Sequence, residues 1–195
     1  THALEIELAE LVCARFESVE QVRFTNSGTE ANLMAIGTAI HVTGRSKVLV
    51  FEEGYHGGVL TFAHGPGALN VPHDFHAVPY NDVPAVRAAF AELGGEIACV
   101  IVEPVQGSGG CIPSEPGFLD ALRELCTEHG AVLIFDEVMT SRLHPGGAQA
   151  RFGVLPDMTT LGKYLGGGMT FGAFGGRRSI MAAFDPAQGG ALSQA

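Results

Sequence analysis

Lysine is scarce in this sequence: Lys47 and Lys163 are the only two among 195 residues. Charge of either sign is sparse, at 16% of residues, and the balance is acidic, with a formal net charge of −10. That balance argues against a nucleic-acid partner, because a phosphate backbone is bound through basic surface. No apolar run approaches the roughly 20 residues that a membrane-spanning helix needs, so no membrane partner is expected. The chain does not open on a basic stretch followed by an apolar one, and no signal peptide is expected. Cys13, Cys99, Cys111 and Cys126 form no Cys-x-x-Cys pair. Reduced thiols in a cytoplasmic protein are therefore expected instead of a disulfide framework. His73 and His76 are spaced as His-x-x-His, but no acidic or cysteine ligands cluster with them, and no metal is expected.

What the chain has is apolar bulk and glycine: 46% hydrophobic residues and 27 glycines. That composition fits a packed domain with many tight turns between elements. The length suffices for one substantial core. The chain starts at Thr1 inside an amphipathic pattern and runs out through Gly-Gly-Ala-Leu-Ser-Gln-Ala. Both features lead to the expectation of a piece of a longer protein.

Leu4, Leu8, Leu11 and Val12 recur at helical spacing, which predicts a helix over about 2–18. A short strand over 21–25, a turn at 26–29 and a helix to about His41 follow. Lys47 to Phe51 is a continuous apolar strand, of the kind buried on both faces of a parallel sheet. The pattern recurs as a helix over 83–93, a strand over 97–102, a helix over 116–129 and a strand over 131–135 that ends at Asp136. Strands alternating with helices predict an open, mainly parallel α/β sheet between helix layers. Ligands of such sheets bind beyond the carboxyl ends of the strands. There lie Thr25 to Thr29, Glu53 to His56, Glu103 to Gln106 and Asp136 to Met139. No internal repeat or low-complexity linker occurs.

Three segments carry candidate chemistry. Lys163 sits in Thr-Leu-Gly-Lys-Tyr-Leu-Gly-Gly-Gly with no acidic neighbour in sequence. It reads either as a loop-edge lysine or as a desolvated amine nucleophile, whereas Lys47 occupies an ordinary solvated strand start. Asp136 reads as a cap, as part of a nucleotide hydrolase's Asp-Glu strand, or as the partner of a cofactor's pyridine nitrogen. The hydrolase reading needs a phosphate loop, Gly-x-x-x-x-Gly-Lys-Ser/Thr. Asp157 stands where its first glycine belongs and Tyr164 replaces the hydroxyl residue, so that reading fails. Asn26 to Asn32 reads as a helix cap or as an anion site at a helix start. The run Gly166 to Gly176 is expected to be a mobile or closely packed segment near the lysine.

Taken in order, NSGTEAN, GYHGG, VEPVQG, FDEVMTSR, TTLGKYLGGG and FGAFGGR resemble the class III aminotransferases, which are fold-type I pyridoxal-phosphate enzymes. The resemblance runs from about Val22 to the end. Within the class it is strongest to the branch of glutamate-1-semialdehyde aminomutases and aromatic β-amino-acid transaminases. Ser141-Arg142-Leu143 departs from the DEVMTGFR usual in the aminomutases. Ser108 and Met139 stand where many class III members carry glutamate and glutamine.

The resemblance implies a large domain over residues 1–195 that lacks an N-terminal segment and a C-terminal small domain. It implies pyridoxal phosphate held at its phosphate by Ser27, Gly28 and Thr29. Tyr55 and Val138 would pack on the ring, and His56, Glu103 and Met139 would lie close by. Asp136 would pair with the ring nitrogen, and Lys163 would be the Schiff-base lysine. It also implies a homodimer that passes an amine between an amino acid, a β-amino acid by preference, and a 2-oxo acid. An aminomutase using the same residues and a catalytically inert fragment are the other readings.

Overall fold

The computed structural model describes residues 2–194. Helix α1 (Ala3–Arg15) leads to β1 (Gln21–Thr25), α2 (Gly28–Thr43) and β2 (Lys47–Phe51). Then come β3 (Asp74–Val78), α3 (Val83–Leu93), β4 (Ile97–Val102) and a small hairpin of β5 (Val105–Gln106) and β6 (Ile112–Pro113). The order continues with α4 (Phe118–His129), β7 (Val132–Asp136), a 3-10 turn at Thr140–Arg142 and α5 (Gly147–Phe152). After these follow β8 (Met158–Gly162), a 3-10 turn at Lys163–Gly166, β9 (Gly172–Gly176) and α6 (Arg178–Met181).

Seven strands form one sheet in the order β1-β9-β8-β7-β4-β2-β3. From β8 to β3 every neighbouring pair is parallel. Only β9 runs against its neighbours, β8 and β1. The sheet is thus mainly parallel and flanked by helices. The continuous apolar strands split their side chains between its two faces. Leu49, Phe51, Val100, Val102, Leu133 and Phe135 pack under α3 and α4. Val48, Val50, Cys99, Ile101, Val132 and Ile134 pack on the side of α2. A third cluster joins Val12 and Phe16 of the α1 region to Leu161 and Ala173 of β8 and β9.

Local chemistry sets the helix ends. The Ser27 hydroxyl accepts from the Glu30 amide at 3.1 Å and starts α2. Asp82 does the same for α3 through the Ala85 amide at 2.9 Å. Each bond satisfies one of the orphan amides of a first turn.

Three strands of the seven-stranded sheet, and both strands of the β5–β6 hairpin, lie where none is expected from the sequence. β3 is a half-exposed edge strand, and β8 is short and threonine-rich. In the run 166–176, expected to be a mobile or closely packed segment, the second half is a fully buried strand, β9. Glycine there reflects close packing: a Cβ at Gly172 would collide with the Ser27 carbonyl, and one at Gly176 with that of Asp157.

Candidate active site

The carboxyl ends of β4, β7 and β8, with the start of α2 and the loop after β2, enclose a cavity of about 230 Å³. Gly28, Thr29, Tyr55, His56, Glu103, Asp136, Val138, Met139 and Lys163 line it, together with Asn32 and Gly57. Of the residues singled out from sequence, Ser27 alone stands outside this lining, its hydroxyl engaged in capping α2.

Asp136 ends β7 and is only 4% exposed. Its Oδ2 receives the Asn32 Nδ2–H at 2.8 Å and faces His56 Nδ1, also at 2.8 Å. Its Oδ1 accepts from the Val138 amide at 3.0 Å. A buried carboxylate is tolerated only when hydrogen-bonded in this way. Asn32, on α2, carries the arrangement further. Its second Nδ2–H goes to the His56 carbonyl at 2.9 Å, and its Oδ1 accepts from the Thr160 hydroxyl at 2.6 Å. The helix, the His56 loop, β7 and β8 are thereby joined through one amide side chain.

His56 is buried beside this carboxylate. Burial disfavours its charged form, but the hydrogen bond and charge of Asp136, aided by Glu103, prevail and raise its pKa. Burial lifts the Glu103 carboxyl above the usual range, against the pull of His56 and of two backbone amides. Those amides, of Tyr55 and Gly107, each reach Glu103 at 3.1 Å. Tyr80 fixes the same strand end by donating to the Glu103 carbonyl at 2.9 Å.

Two glycines make the approach of α2 to the site possible. A Cβ at Gly28 would lie 2.8 Å from a methyl of Val138. Gly57 has φ +130°, and a Cβ there would run into the Thr29 side chain. Lys163 follows β8 directly and has φ +49°, the left-handed region that a side-chain-bearing residue rarely occupies. Such strain concentrates at functional positions. Asp136 pairs with Thr160 across β7 and β8, so the carboxylate and the lysine stand at adjacent strand ends.

The sequence reading gave no role to Asn32 or Glu137. Asn32 lay inside the NSGTEAN motif, but its partners are 24 to 128 residues away, and no local signal announces them. Glu137 is completely buried behind the site. It accepts from the Ala148 amide at 2.6 Å and from the Gln149 amide and side chain, both at 3.0 Å. Burial raises its pKa, opposed by those hydrogen bonds. His73 and His76, spaced as His-x-x-His, lie just before and within the edge strand β3, and neither lines the cavity.

Comparison with known proteins agrees with this geometry. A beta-phenylalanine transaminase of Variovorax paradoxus is 60% identical over 186 residues, spanning 95% of this chain and 43% of that protein. The crystal structure of a beta-phenylalanine aminotransferase from the same organism superposes with a TM-score of 0.94 at 59% identity, covering 96% of this chain and 44% of that one. A transaminase solved with PLP bound gives a TM-score of 0.89 at 36% identity, covering 97% and 48%. A glutamate-1-semialdehyde aminomutase from Pseudomonas aeruginosa PAO1 gives 0.83 at 29%, covering 93% and 44%. The chain thus spans less than half the length of these relatives. The family model described as aminotransferase class-III matches residues 1–192, and the chain belongs to that family.

Proposed function

We propose that residues 1–195 form the cofactor-binding large domain of a pyridoxal-phosphate aminotransferase that takes the amine of a β-amino acid and gives it to a 2-oxo acid. The observation that carries this is the meeting, in one cavity, of a carboxylate immobilised by Asn32, His56 and the Val138 amide with a lysine on a strained turn.

The residues present fit the cofactor's needs. Asp136 is a fixed acceptor for a ring nitrogen's proton, and Val138 and Tyr55 offer surfaces for an aromatic ring. The start of α2, a helix of 16 residues, brings free amides at Gly28 and Thr29 to the cavity, where an anion is favoured. When bound, pyridoxal phosphate supplies a carbonyl that captures amines and a ring that spreads the charge left by a departing proton. Asp136 holds the proton at the ring nitrogen, and Asn32 and His56 keep its carboxylate aimed. Lys163 Nζ takes the proton from the amine-bearing carbon of the substrate as a general base. Glu103 fixes the Tyr55 backbone beside the ring site.

The identity to a beta-phenylalanine transaminase favours a β-amino acid as donor, while the aminomutase likeness is more distant. A homodimer is part of the proposal. Leu4, Leu8 and Leu11 share one face of α1 and are all exposed, an apolar stripe that a second subunit would cover. Four free thiols suit a reducing compartment such as the cytoplasm. The test uses a chain completed to the length of its relatives, supplied with β-phenylalanine and either 2-oxoglutarate or pyruvate. Formation of glutamate or alanine is the expected result. Isomerisation of a single amino-oxo substrate without any acceptor would instead identify an aminomutase.

A further inference from the structure

Arg15, at the end of α1, bonds to three segments at once. Its Nη2 donates to the Ser141 carbonyl at 2.8 Å and to the Tyr164 hydroxyl at 2.7 Å, and its Nε donates to the Pro145 carbonyl at 2.8 Å. Ser141 lies in the 3-10 turn that follows Asp136, Val138 and Met139. Tyr164 is the residue next to Lys163, in the 3-10 turn that holds the lysine. One guanidinium therefore ties the turn after the carboxylate to the turn that bears the amine.

The lysine turn needs such a tether. Lys163 is held at positive φ, and three consecutive glycines, Gly166 to Gly168, follow it. Glycine raises the entropy of the unrestrained chain, so the turn has little stiffness of its own. Side-chain contacts hold it to the body of the fold. Leu165 packs on the cluster of Val12 and Phe16, which belongs to the α1 region. The Tyr164 hydroxyl is the turn's one side-chain hydrogen bond to another element among the described residues. The Arg142 guanidinium lies 5.8 Å from the Tyr164 ring and adds a cation–π contact on the same side chain.

We infer that Arg15 is a positioning residue for Lys163, acting through Tyr164, so that α1 sets the register between the amine and the carboxylate. The inference rests on the proposed role of Lys163. A planar fork suits the task, since it serves several acceptors in fixed directions where a lysine ammonium would not.

The experiment compares wild type, Tyr164→Phe, Arg15→Ala and the double variant, as the complete chain, by two readouts. The first is the rate at which pyridoxal phosphate followed by borohydride labels Lys163. The second is amide hydrogen exchange without cofactor, resolved to residues 163–169. Tyr164→Phe keeps the ring and removes only the hydroxyl, so it tests the tether without a large packing change. Loss of a hydrogen bond to a charged group predicts labelling slowed about tenfold and exchange over 163–169 quickened about tenfold, with the core strands unchanged. The double variant should do no more than Arg15→Ala alone, because Arg15→Ala already removes both contacts between the two residues, the hydrogen bond and the guanidinium's 5.8 Å approach to the Tyr164 ring. Labelling of Tyr164→Phe at the wild-type rate overturns the inference, and so does a rise in exchange spread evenly over the whole chain. A wild-type chain that takes no label at Lys163 overturns the cofactor reading instead. The tether is then judged by exchange alone, a localised tenfold rise supporting it and no change refuting it.

Discussion

Replacement of Asn32 by alanine should be among the most damaging single changes in this chain, although the residue touches no reacting atom in the proposed chemistry. Asn32 is 1% exposed and makes three hydrogen bonds, to Asp136 Oδ2, to the His56 carbonyl and from the Thr160 hydroxyl. Alanine removes a bond to a carboxylate, worth about 1.5–3 kcal/mol, and leaves a buried carbonyl and hydroxyl unpaired at about 1–3 kcal/mol each. These effects overlap, so a total of roughly 3–6 kcal/mol is expected. Urea unfolding followed by circular dichroism measures it, with a midpoint shift at constant slope. Thr160→Val is the internal control, since it leaves the Asn32 donors in place and only the Asn32 Oδ1 unpaired; a smaller cost of about 1–3 kcal/mol is expected. A loss below about 1 kcal/mol for Asn32→Ala would show that the carboxylate does not depend on this network.

Gly28→Ala should weaken cofactor binding by about 1–3 kcal/mol, measured by absorbance titration, because its methyl would press on Val138 at 2.8 Å. The pairing of His56 with Asp136 makes stability pH-dependent. Because the folded-state pKa lies above the ordinary 6.5, the contribution is complete below about 6.5 and is lost as the pH rises through the raised value. The unfolding free energy should decline over that range, and His56→Asn should flatten the decline. A thiol reagent should modify exposed Cys111 first in the native chain. Cys99, fully buried and with its thiol pushed up to about 12, should react only on unfolding.

The parts of the fold that were legible in sequence are those whose pattern is local. The continuous apolar runs of β2, β4 and β7 announce strands covered on both faces, α4 carries its own periodicity, and α2 and α3 carry their own N-caps, Ser27 and Asp82. β8 and β9 were not legible, because their residue types follow from what packs on them. Thr159 and Thr160 of β8 are buried with their hydroxyls paired to Ser18 and Asn32. The glycines of β9 are demanded by neighbouring carbonyls, a requirement that local pattern mistakes for a loop. The site shows the same division. Asp136 and Lys163 stand out by chemistry and by place at strand ends. Asn32, Glu137 and Arg15 matter through partners as far as 149 residues away, and no spacing rule predicts those.

The most direct test of the cofactor site is borohydride trapping. The chain is mixed with pyridoxal phosphate, reduced and digested, and the modified peptide is identified by mass. With Lys47 and Lys163 the only lysines, the two outcomes separate cleanly. Label confined to the Lys163 peptide, absent in Lys163→Ala and diminished in Asp136→Asn, is the expected result. Equal label on Lys47 and Lys163, in this chain and in one of its relatives' full length, would contradict the assignment of Lys163.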